Sequence, residues 1–189
     1  MSNPFLAKPN YIRIFGHRGA RGDIVENSIE GFKYIFDLGI KALEFDVVVS
    51  KDNIPVLFHD YHLNPDMVKD DSGNWITDKN IKLMDLTSRE IEKYSIENLK
   101  PETRYAKRFK NQQSVAGAKI PKLTDFFKLV TEEKNKDVFL NLEIKSTPVR
   151  ENLTPDPKTM VSLILKDIKE YNLEDRTLIT SYDWRILYE

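Results

Sequence analysis

The stretch Ala42-Leu43-Glu44-Phe45-Asp46-Val47-Val48-Val49 decides the fold. Strand residues alternate faces, so Glu44 and Asp46 share one side while Leu43, Phe45 and Val47 occupy the other. Downstream, Ile54 to Phe58 is a second strand-like run, reached through Lys51-Asp52-Asn53, where Asp and Asn tolerate the positive φ that tight hairpins need. A turn centred between Asp52 and Asn53 sets Asp46 directly opposite His59. Upstream, Ser28 to Leu38 has helical periodicity, with an N-cap at Asn27 or Ser28 and Gly39 where a C-terminal cap belongs. Before it, Tyr11 to Phe15 is a β-rich run ended by Gly16.

Residues 61–119 are polar, rich in Lys, Asp and Asn, and lack sustained strand alternation, with a short capped helix expected at Ser88 to Tyr94. Regular order resumes as a helix at Leu123 to Val130, a strand at Val138 to Lys145, a helix at Met160 to Tyr171 and a strand at Thr177 to Tyr182. Strand and helix alternate, which implies parallel strands. Closing an eight-stranded barrel of this kind takes about 250 residues. The expectation is a single α/β domain over 1–189: roughly the N-terminal half of a TIM (βα)8-type barrel, truncated at its C-terminal end, with 61–119 as an insertion. Its two open edges would pair with another chain, as in a homo-oligomer, or be covered.

The 29 Lys and Arg nearly cancel the 30 Asp and Glu, leaving a net charge of −1 with no basic concentration to track a nucleic acid or an anionic membrane. Without cysteine there is neither a disulfide framework nor a thiolate metal site, so any metal must be held by oxygen or imidazole. No apolar run reaches the roughly 20 residues that span a bilayer, and the opening Met1 to Asn10 lacks a signal-peptide core, so the expected location is cytoplasmic.

Asn141, Glu143 and Lys145 share one face of their strand, opposed by Leu140, Leu142 and Ile144. Such a polar face inside a barrel is costly unless its charges are paired or bind a metal. Glu44, Asp46 and Glu143 could share one cation, and three carboxylates with water or phosphate oxygens suit Mg²⁺ or Ca²⁺ better than zinc. In Gly16-His17-Arg18-Gly19 the glycines allow a sharp turn and close approach of a ligand. Arg18 offers a fork matched to phosphate, while His17 and His59 offer proton transfer near neutrality. A solvated edge strand would also account for Glu44 with Asp46, and a plain ion pair for Glu143 with Lys145. The coincidence of polar stripes on otherwise apolar strands, all at strand C-termini where βα loops begin, favours a site. His62 has no assigned role, and Trp75 and Trp184 are expected to pack.

Taken in order, Gly16-His17-Arg18-Gly19, Glu26-Asn27-Ser28, Glu44-Phe45-Asp46-Val47, Pro55-Val56-Leu57-Phe58-His59-Asp60, Leu142-Glu143-Ile144-Lys145 and Thr180-Ser181-Tyr182-Asp183 resemble the glycerophosphodiester phosphodiesterase family. The resemblance implies that Glu44, Asp46 and Glu143 bind Ca²⁺ or Mg²⁺ and that His17 and His59 are the acid and base. It further implies that Arg18 and Lys145 contact the phosphate, that Glu26, Asn27 and Asp60 support the site, and that 61–119 covers it. In the implied reaction a glycerol hydroxyl attacks phosphorus, the alcohol leaves, and water opens a cyclic phosphate to glycerol 3-phosphate. The sequence departs from the family's pattern at Val25, Ser28 and Asn53, and the later strand motifs are absent. Two other functions compete: a phospholipase D-like activity on lysophospholipid or sphingolipid diesters, and a catalytically inactive partial barrel that binds or assembles.

Overall fold

A computed structural model describes residues 12–150 and 152–189. The strands are β1 (Gly16–His17), β2 (Ala42–Val49), β3 (Pro55–Leu57), β4 (Phe139–Ile144) and β5 (Thr177–Thr180), and the helices are α1 (Ile29–Asp37), α2 (Ser88–Ile91), α3 (Arg104–Arg108), α4 (Leu123–Thr131), α5 (Pro157–Glu170) and α6 (Trp184–Tyr188). They build one sheet of order β1-β2-β4-β5, parallel throughout, with β3 pairing antiparallel to β2. Because Val47 pairs with Ile144 on one side and Leu57 on the other, β3 lies along the β2 edge that β1 has left.

The apolar faces of β2 and β4 are buried beneath helices. Phe45 of β2 meets Phe126 of α4 with ring centroids 4.7 Å apart, and Phe126 meets Phe32 of α1 at 4.2 Å. Ser28 caps α1 by accepting from the Gly31 N–H. Gly39, with φ of 76°, closes it: its N–H donates to Phe36 O while Ile40 N–H reaches back to Ile35 O, satisfying carbonyls that the helix end would orphan. A side chain at Gly39 would have to take a left-handed conformation that only glycine adopts cheaply.

The hairpin differs from expectation by one residue. Val47 pairs with Leu57 and Val49 with Pro55, so Asp46 faces Phe58, whose N–H donates to Asp46 O, and His59 lies one step further on. The cause is Asn53, whose φ of 61° turns a two-residue loop into a three-residue one between Ser50 and Ile54. The first strand is also shorter and later than Tyr11 to Phe15. Gly16 pairs with Leu43, so Ile12 to Ile14 run past the start of β2 and have no ladder partner among the described residues, leaving Ile12 and Ile14 exposed. Tyr11 and the opening Met1 to Asn10 lie outside the described residues.

Segment 61–119 carries α2 and α3 and is less polar inside than its composition suggests. Leu63, Val68, Leu83 and Ile96 are fully buried and join the main core. Trp184, expected to pack, is 83% exposed on α6. Among the described residues no helix is long and apolar enough to cross a membrane.

Candidate active site

Parallel register brings the acidic residues together: Glu44 lies beside Asn141 and Asp46 beside Glu143 on neighbouring strands. One oxygen from each of Glu44, Asp46 and Glu143 falls within 4.8 Å of the others. Asp46 is wholly buried. Asn27 fixes it twice, donating from Nδ2 to Asp46 Oδ2 (3.0 Å) and accepting the Asp46 N–H at Oδ1 (3.2 Å). The other carboxylate oxygen, Oδ1, has no hydrogen-bond partner among the described residues, although Lys145 Nζ stands 3.6 Å away. Lys145 donates instead to Glu143 at 2.7 Å. Burial and the charge of Asp46 push the Glu44 carboxyl up to about 7.

The loop after β1 wraps this cluster. Arg18 and Gly19 both take left-handed φ, at 51° and 75°, so the Arg18 N–H turns to donate to Glu44 Oε2 at 2.8 Å. A Cβ at Gly16 would stand 2.8 Å from Gly19 O, so this turn admits no side chain there. Arg18 Nη1 donates to Glu26 Oε1 (2.9 Å), and its Nε lies 3.3 Å from Asp46 Oδ2. The His17 ring sits 3.7 Å from Glu44 and is half exposed. Partial burial and the neighbouring Arg18 and Arg21 lower its pKa.

His59 follows the end of β3. Its Nδ1 is 2.7 Å from Asp60 Oδ1, and Asp60 Oδ2 accepts from Asn64 (3.0 Å). Burial pushes the Asp60 carboxyl up, but the hydrogen bonds from His59 and Asn64 prevail and hold it below the usual carboxylate range. A carboxylate on Nδ1 orients the ring and leaves Nε2 for chemistry. His59, Asp60, Tyr61, His62 and Lys145 line a cavity of about 520 Å³.

All ten residues named from the sequence therefore fall into two adjoining groups. His17, Arg18, Glu26, Asn27, Glu44, Asp46, Glu143 and Lys145 form one connected network, and His59 with Asp60 joins it at the cavity that Lys145 also lines. The opposition of Asp46 and His59 across the hairpin is absent, for the reason given by Asn53. Sequence reasoning missed Tyr61, whose hydroxyl donates to Ser146 O (2.9 Å), and Ser146, which donates to Asp183 Oδ2 (2.7 Å). It also missed Tyr105, which donates to Glu26 Oε2. Asp183 closes the Thr180-Ser181-Tyr182-Asp183 motif, but nothing local pairs Tyr105 with a residue 79 positions away.

Charged and imidazole side chains gathered at the C-terminal ends of parallel strands define an α/β enzyme-type site. The chain belongs to the glycerophosphoryl diester phosphodiesterase family, whose model matches residues 17–188. A glycerophosphodiester phosphodiesterase from Caldanaerobacter subterraneus is 31% identical over 170 residues, which are 90% of this chain and 58% of that protein. A solved structure from Silicibacter pomeroyi, assigned as a glycerophosphoryl diester phosphodiesterase, superposes with a TM-score of 0.89 at 35% identity, covering 96% of this chain and 61% of the other. An Oleispira antarctica phosphodiesterase solved with its product sn-glycerol-3-phosphate shares the fold at a TM-score of 0.65 and 20% identity, over 94% of this chain and 60% of that one. The solved relatives are TIM-barrel phosphodiesterases. This chain spans about three fifths of the length of each of these three relatives.

Proposed function

We propose that the site hydrolyses glycerophosphodiesters to glycerol 3-phosphate and an alcohol, with a divalent cation held by Glu44, Asp46 and Glu143. The observation that carries this reading is the buried Asp46 Oδ1, which has no hydrogen-bond partner among the described residues and converges with the carboxylates of Glu44 and Glu143. Buried carboxylate oxygens are costly without a partner, and an all-oxygen donor set suits a hard cation such as Ca²⁺ or Mg²⁺. A bound cation supplies charge stabilisation to the phosphoryl oxygens and lowers the repulsion among the three carboxylates.

The remaining roles belong to the chain's own side chains. Arg18 and Lys145 flank the acidic cluster and meet the phosphate, Arg18 through a guanidinium held by Glu26. In this reading His17, beside Glu44, and His59, oriented by Asp60, take a proton from the attacking glycerol hydroxyl and deliver one to the departing alcohol. The 61–119 segment, treated as an insertion, walls the cavity on the His59 side through Tyr61 and Asn64. In the same reading the sheet is an arc of a βα barrel, since β1 and β5 each pair on one side only among the described residues.

Phosphorus NMR of glycerophosphocholine incubated with the chain and Mg²⁺ or Ca²⁺ tests this. Glycerol 3-phosphate as the phosphorus product supports the proposal. Choline phosphate, or turnover of lysophosphatidylcholine alone, would replace it with a different bond cleavage or a lipid-directed relative.

A further inference from the structure

The Arg18 guanidinium makes one hydrogen bond among the described residues, from Nη1 to Glu26 Oε1; its Nε, though 3.3 Å from Asp46 Oδ2, is off the hydrogen-bond direction. The aim of Arg18 therefore depends on where Glu26 is held. Glu26 is buried, and its second oxygen is fixed by two groups: Arg21 Nε at 2.8 Å and the Tyr105 hydroxyl, which donates to it. Arg21 is itself placed by Tyr105, donating to the Tyr105 oxygen from Nε (3.1 Å) and Nη2 (2.9 Å). Its guanidinium lies over the Tyr105 and Phe109 rings, at 5.3 and 4.7 Å from their centroids. Tyr105 thus holds the second oxygen of Glu26 twice over, directly by its hydroxyl and indirectly by placing Arg21. It sits on α3, in the 61–119 segment, which is tied to the β1–α1 loop again by Gln112 Nε2 donating to Arg21 O (2.9 Å). Burial and the Glu26 charge push the Tyr105 hydroxyl well above its ordinary pKa, so it remains a donor across the neutral range.

We propose that Tyr105 is a positioning residue: its hydroxyl fixes Glu26, and through Glu26 it aims the Arg18 guanidinium at the phosphate. The inference rests on the reading of Arg18 as a phosphate ligand. It makes α3 part of the site's supporting shell, with no contact to substrate required.

Tyr105→Phe keeps the ring on Arg21 and removes only the hydroxyl, so it is measured in the wild-type and Arg18→Lys backgrounds with glycerophosphocholine and saturating cation. The expected result is a loss in kcat/KM of about tenfold in the wild-type background, the low end for an orienting partner, and of less than about twofold where Arg18 is already gone. Equal losses in both backgrounds, or none in the first, overturn the proposal. A second readout needs no substrate: the Arg18 Nε–H cross-peak, identified by its absence in Arg18→Lys, is expected to shift in Tyr105→Phe. An unmoved cross-peak overturns the positioning role. A wild-type chain without turnover defeats the functional reading alone, and the cross-peak then decides this one.

Discussion

Each residue of the acidic cluster has a distinct tie, and the ties separate binding from chemistry. Asp46 is clamped by Asn27, Glu143 is paired with Lys145, and Glu44 receives the Arg18 N–H. The two imidazoles stand outside that trio. His17→Ala and His59→Ala are therefore expected to cost turnover at least about 10²-fold, the usual scale for a lost acid or base, while cation affinity measured by calorimetry stays within about threefold of wild type. Glu44→Gln is expected to do the opposite first, weakening cation binding before any effect on the imidazoles is seen. Retained turnover in both histidine variants would remove them from the mechanism. At this scale the sequence was most informative, because alternation along β2 and β4 alone put Glu44 with Asp46 and Asn141 with Glu143 on common faces. Tyr61 and Tyr105 were not legible there, since each acts through a partner far along the chain and no local pattern announces such a contact.

Among the elements, β2 was readable to the residue as Ala42–Val49 and α1 to within one residue at each end: of the two cap candidates Asn27 and Ser28 it is Ser28 that caps, and Gly39 closes the helix. The hairpin was not. Its register turns on the single backbone conformation of Asn53, which Asp or Gly could share and which periodicity does not encode. A left-handed residue without asparagine's side chain costs about 1–2 kcal/mol, so Asn53→Ala is expected to lower stability by about 1 kcal/mol while Asn53→Gly leaves it within about 0.5 kcal/mol. Urea denaturation of the two variants checks this, and equal stabilities would mean that the turn does not depend on the left-handed position. The run that precedes β1 misled for another reason: Ile12 and Ile14 are β-prone, but strand formation needs a partner, and β2 does not begin until Ala42. Segment 61–119 misled by average composition, which hides the apolar residues it contributes to the core.

At the scale of the whole molecule, Asp183 ties the segment that follows β4 to the start of α6. Its carboxylate accepts from Ser146 after β4, caps α6, and pairs with Arg185 at 2.8 Å. The hydrogen bond from Arg185 outweighs burial and, with that from Ser146, holds the carboxyl down to about 2, against 3.8 for a free side chain. A carboxylate with a depressed folded pKa stabilises fully above its unfolded value, and that contribution is lost as pH falls through the folded one. The stability difference between wild type and Asp183→Asn is therefore expected to be on the order of 1–2 kcal/mol above about pH 4, discounted for the exposed Arg185 partner, and to vanish toward pH 2. A difference that persisted unchanged to pH 2 would mean the charge is not its source. Trp184 and Tyr188, exposed beside this tie, show where composition says least: an aromatic side chain in the sequence does not reveal whether its neighbours cover it.

The most direct test of the account is the rate of glycerol 3-phosphate release from glycerophosphocholine by the purified chain with Ca²⁺, with Mg²⁺ and with chelator, beside Glu44→Gln and His59→Ala. The account predicts release that chelation abolishes, that higher cation concentration restores in Glu44→Gln, and that no cation concentration restores in His59→Ala. Release that persists in chelator, or that cation restores in His59→Ala, would contradict it.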